Sequence, residues 1–88
     1  MATASVVFTG QQTTTGAAAP LSSQALSNSV TVQALPGNSG VVTVGGYGVT
    51  AGTGYPLAAG STITLTAVNT SVINILGNGT DKVAWMGN

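Results

Sequence analysis

Polar and apolar positions alternate along much of this chain. In "STITLTAV", Ser61 to Val68, the apolar Ile63, Leu65 and Ala67 are interleaved with Thr62, Thr64 and Thr66. A period of two sends successive side chains to opposite faces of an extended backbone, so the stretch predicts a half-buried antiparallel strand. "SVTVQAL" repeats the pattern, with Val30, Val32 and Ala34 set against Thr31, Gln33 and Leu35. "GVVTVG" reads as a short valine-rich strand after the turn "PGNSG". In "SVINILG", Ile73 and Ile75 share one face, and Val72, Asn74 and Leu76 take the other. "NGTD" then carries the Asn-Gly pair favoured in tight hairpins. "KVAWMG" follows as the last strand, and "ASVVFTG" supplies one near the start.

No segment shows a helical period of useful length. Between Gly10 and Asn28 the pattern loosens to "QQTTTGAAAPLSSQALS". Pro20 breaks any helix through it, while Leu21 and Leu26 remain available to a core. The expected architecture is all-β: a small antiparallel β-sandwich or barrel of about six short strands with an extended N-terminal segment. One domain spans 1–88, with 1–27 as a loosely structured arm or strand and 28–88 as the main β core. The expected core is Val6, Phe8, Leu21, Val30, Val32, Val42, Val44, Leu57, Ile63, Leu65, Ile73, Ile75, Val83 and Trp85. A core of this size is only marginally stabilising, and association with other chains would bury further apolar surface and cover strand edges.

Composition narrows the functions. Charged residues are 2% of the chain, against about a quarter in ordinary soluble domains. They are Asp81 and Lys82, adjacent in sequence. One cation cannot neutralise a row of phosphates, so no nucleic-acid partner is expected. Without His or Cys there is no ordinary transition-metal site and no disulfide framework, so neither metal nor other cofactor is expected. No apolar run approaches membrane-spanning length and no cation-led apolar segment opens the chain, which points to no membrane partner and to synthesis in the cytoplasm. A surface hydrated by Thr, Ser, Asn, Gln and Gly alone has little charge repulsion to keep copies apart. That balance suits a homo-oligomer, or a component of a larger assembly.

The densest glycine stretch, "VGGYGVTAGTGYPLAAG" from Val44 to Gly60, invites a phosphate-binding reading. A P-loop requires a lysine after its second glycine, and a dinucleotide fingerprint opens a helix. Here no lysine is near, Gly46, Gly48, Gly52 and Gly54 have the wrong spacing, and a strand follows. Val49, Tyr55, Pro56 and Leu57 also set it apart from flexible linkers. It reads as an ordered loop anchored by Leu57.

Three other features are weighed in the same way. Thr62, Thr64 and Thr66 form a threonine ladder of the kind ice-binding sheets use, yet threonine is also an ordinary choice for the wet face of a strand. Tyr47, Tyr55 and Trp85 could stack on a sugar, but Trp85 alternates in phase with Val83 and so points to the core. Asp81 and Lys82 point to opposite faces and lack a third group to orient them, so no catalytic residue is assigned and the chain is not expected to be an enzyme. The expected partner contacts are Tyr47, Val49, Thr53 and Tyr55 in the loop, and Phe8, Gln11 and Gln12 in the N-terminal segment.

From 28 to 87, the order of these elements resembles a family of small tailed-bacteriophage virion proteins. The resemblance rests on an alternating strand into Ala34, Asn38 and Gly40, then Val42, Val44 and Gly45, then Val49 and Thr50. Gly54, Leu57 and Gly60 lead into a strand with Ile63 and Leu65, followed by Ile73 and Ile75, and by Asp81, Val83 and Trp85. The resemblance implies a capsid decoration or cement protein, bound to the major capsid protein on the virion surface as a dimer or trimer. It also admits another virion role, such as a head-fibre base or a carbohydrate-binding surface module.

Overall fold

The computed structural model describes residues 7–88, so Val6 and the start of "ASVVFTG" lie outside the described residues. Eight strands follow one another: β1 (Phe8–Thr13), β2 (Ala19–Pro20), β3 (Val30–Ala34), β4 (Val42–Gly45), β5 (Tyr55–Leu57), β6 (Thr62–Leu65), β7 (Asn74–Leu76) and β8 (Lys82–Gly87). Among the described residues a single 3₁₀ turn, Thr70–Val72, occurs, just before β7. The chain is all-β.

The pairing has a simple plan. β1 pairs with β8, β2 with β7, β3 with β6 and β4 with β5, all antiparallel. The first four strands therefore run back against the last four, as one long double ribbon. Rolling that ribbon brings β8 against β3 and β7 against β4. The outcome is two four-stranded sheets, ordered β1-β8-β3-β6 and β2-β7-β4-β5. That winding is the jelly roll. The sheets stay open at their edges, so of the two expected architectures the molecule is the sandwich and not the barrel.

Six of the eight strands are those the alternation predicts. The other two, β2 and β5, have two and three residues, and each contains a proline. They are the edge strands of one sheet, the place where a missing N–H costs a ladder nothing. The "NGTD" turn also differs from expectation. It crosses from β7 in one sheet to β8 in the other, so it does not close a hairpin.

One apolar cluster lies between the sheets. Val30, Val32, Ala34, Val83 and Trp85 come from the first sheet, and Val42, Val44, Leu57 and Ile75 from the second, with Leu21 and Ile73 plugging in from flanking segments. Phe8, Ile63 and Leu65 are only half-buried, because β1 and β6 are edges with a neighbour on one side. Trp85 fits because its neighbour in β1 is Gly10. A Cβ at that position would lie 2.5 Å from the indole Cζ2, so the ring packs flat against bare backbone.

Candidate docking surface

The one carboxylate of the chain is spent on structure. Asp81 is 3% exposed. Its carboxylate accepts from the Ser39 N–H at 2.9 Å, the Gly40 N–H at 3.0 Å and the Ser39 hydroxyl at 3.3 Å. Its carbonyl accepts from the Thr14 N–H at 2.8 Å and the Thr14 hydroxyl at 2.9 Å. Asn38 extends the node by exchanging two side-chain bonds with the Lys82 backbone, each 2.9 Å. The carboxylate thus holds the β3–β4 connection to the root of β8, while Lys82 points out into solvent. No group of three His, Cys, Asp or Glu side chains that could hold a metal occurs among the described residues.

The loop between β4 and β5 is ordered, and its chief anchor is Val49. This side chain is 7% exposed. It packs so closely on Gly45 and Gly54 that a Cβ at either would stand 2.5 Å from its Cγ2. Thr50 and Thr53 cross-bond beneath it, hydroxyl to hydroxyl at 3.0 Å, with the Gly54 N–H donating to the Thr50 carbonyl at 2.9 Å. The folded loop covers β4 from outside, which is why Thr43 is buried although it alternates with Val42 and Val44. Glycine is required here for the close approach of a valine, not of a phosphate.

The expected contact residues therefore divide. Tyr47 is wholly exposed and Tyr55 is 58% exposed, so both are free to meet a partner. Thr53 is exposed, but its hydroxyl is engaged with Thr50. Val49 is withdrawn from the set because it is buried. In β1, Gln11 is exposed on the outer face and Phe8 is half-buried. Gln12 is also withdrawn: its amide donates to the Pro20 carbonyl at 2.9 Å and accepts from the Ser22 N–H at 2.9 Å. That side chain closes the gap between β1 and β2. The segment that follows is pinned as well, since Asn69 accepts from the Gln24 N–H at 3.1 Å and Thr70 donates to the Ser22 carbonyl at 2.5 Å.

The opposite side of the sandwich is open. Between β5 and β6 lies a cleft of about 270 Å³, walled by Val44, Tyr55, Ile63, Leu65, Ala67, Val72 and Ile73 among others. Tyr55 and Val72 stand exposed at its rim, and Val68 is exposed nearby. A larger groove continues past Val72 to Tyr47 and Pro20. The cleft was not identified from sequence. "STITLTAV" shows that Ile63 and Leu65 face inward, but alternation does not reveal that β6 ends its sheet.

The remaining motifs are resolved by register. Thr62, Thr64 and Thr66 are all exposed, and the Thr31 hydroxyl lies 2.9 Å from that of Thr64. Across the sheet, however, Thr9 and Thr31 both pair with Met86, and Gln11 and Gln33 with Ala84. The threonines therefore do not continue as an uninterrupted array. Trp85 is 8% exposed and belongs to the core, which leaves Tyr47 and Tyr55 as the accessible aromatic rings. Comparison with protein-family models, with curated proteins and with solved structures finds no match to this chain.

Proposed function

We propose that this chain is a non-enzymatic structural protein of a bacteriophage particle, decorating or cementing the outer surface of the capsid and bridging major capsid protein subunits. The observation that carries the reading is the uncovered apolar side, with Tyr47, Tyr55, Val68 and Val72 exposed on a domain with two charges. Exposed apolar patches on small domains mark interaction surfaces. The jelly-roll winding is consistent with this reading, since viral capsid domains use it, although lectins and cupins do too. The order of motifs from Ala34 to Trp85 supports the same assignment.

A cement acts by adding contacts across the joints between capsid subunits. Each contact is small, but many copies on a lattice sum their effects and raise the free energy needed to separate the shell. Such contacts would be made by apolar and main-chain groups, because so few charges are available. The decisive experiment mixes purified protein with particles that lack it. Saturable binding together with a higher rupture temperature supports the cement role, and no binding at any concentration removes it.

Full exposure of Tyr47 favours a second reading, a head-fibre base or carbohydrate-binding surface module. Binding to a glycan array or to host cells, with indifference to capsids, would select it.

A further inference from the structure

The sandwich has four strand edges, and they are not equally guarded. The second sheet ends in β2 and β5, which carry Pro20 and Pro56. Proline has no N–H to offer, and the Pro20 carbonyl is already taken by Gln12. The first sheet ends in β1 and β6, which carry neither proline nor charge.

The ladder pattern shows which groups face outward. Ala34 directs both its N–H and its C=O toward the start of β6, donating to the Ser61 carbonyl at 3.0 Å and accepting from the Gly60 N–H at 2.8 Å. Alternation then turns Val32 and Val30 the same way, onto Ile63 and Leu65. Thr62 and Thr64 are left with their main-chain N–H and C=O pointing away from the sheet, and nothing among the described residues bonds to them. The same logic leaves Thr9, Gln11 and Thr13 bare on β1. The two edges differ in what lies beneath. Under β1 the gap is closed by Gln12. Under β6 is the apolar cleft.

We infer that β6 is the self-association edge of this protein, and that its occupant is β6 of a second copy, related by a two-fold axis through Ile63. In that arrangement Thr62 lies opposite Thr64 of the partner and Thr64 opposite Thr62, so each of the four outward N–H groups meets an outward C=O. The geometry is self-complementary by symmetry, as a closed dimer requires. The cleft of each copy then faces that of the other, bringing Tyr55, Ile63 and Val72 together across the axis. Asp81 and Lys82 lie outside this side, so like charges do not oppose the pairing. Pro56 confines the main-chain ladder to the first sheet. A standard interface takes roughly 800 Å² from each partner, about a sixth of this molecule's 4778 Å². The inference stands apart from the capsid role, since it concerns contacts between copies of this chain alone.

The test is made on the full chain without particles. Light scattering and sedimentation should show a concentration-dependent dimer, and the Thr62 and Thr64 amides should gain protection from hydrogen exchange as it forms. Thr64→Pro removes one outward donor per copy and the Thr31–Thr64 hydroxyl bond but no main-chain bond of the β3–β6 ladder, and should weaken the dimer by at least about tenfold. Gln11→Pro makes the same change on β1 and should leave the dimer intact. A wild-type monomer at all concentrations overturns the inference, as does a dimer that protects Gln11 in place of Thr62 and Thr64. The amide measurement needs no variant, so misfolding of Thr64→Pro does not blunt it. A monomer that still binds particles leaves the cement reading standing, and a β6 dimer that ignores them does the reverse.

Discussion

Between β1 and β2, Gln12 spans the gap from one sheet to the other; between β5 and β6, no hydrogen bond among the described residues does so. The first side continues through Thr14 into the Asp81 node, so the side chains that line the gap there are bonded inside the molecule, while the outward main-chain groups of Thr9, Gln11 and Thr13 stay bare. The second presents Tyr55 and Val72 over half-buried Ile63 and Leu65. With two charges in 88 residues, neither side can be kept soluble by repulsion. The gap on one side is therefore closed by side-chain hydrogen bonds, and on the other an apolar cleft stays uncovered. The contrast suggests a division of labour, in which the closed side maintains the fold and the open side makes contacts.

Substitutions that separate these tasks would break or sharpen the comparison. The largest effect is expected at the closed side. Asp81→Ala removes the carboxylate that accepts from the part-buried N–H groups of Ser39 and Gly40, and should cost about 2–3 kcal/mol in urea unfolding. Gly10→Ala drives a Cβ into the Trp85 ring and should cost about 1–3 kcal/mol, with a change in indole fluorescence. Gln12→Ala releases Pro20 and Ser22 to water and should cost about 1 kcal/mol.

On the open side the order reverses. Tyr55→Ala should change unfolding of the dilute protein by no more than about 0.5 kcal/mol, while weakening association or particle binding severalfold. If it destabilises the dilute chain as much as Gln12→Ala does, the division of labour is lost. The smallest effect is expected from salt: association should shift less than about twofold from low to physiological ionic strength, since few charges are available to screen. A steep salt dependence would locate the contacts around Asp81 and Lys82 instead.

Much of the fold was legible because alternation records burial directly. Val30, Val32 and Ala34 are all buried, as their spacing implies. Leu57 was readable as an anchor, whereas Val49 was not, since its burial comes from two glycines that lie close only in the folded loop. Gln12 resembled a free surface amide because its partners Pro20 and Ser22 belong to the next strand and its exit. Asp81 was readable as a turn residue, but not as the buried acceptor for a loop some forty residues earlier in the chain.

Sequence alone determined that this protein is all-β, has almost no charge, and lacks the spacing of a phosphate-binding glycine loop. These are local or compositional properties, set by side-chain period and residue inventory. The tertiary structure decided that the strands wind as a jelly roll, that proline guards one sheet's edges and not the other's, and that an apolar cleft opens beside β6. Whether a strand is central or at an edge depends on what lies across the ladder, and residues distant in sequence supply that neighbour.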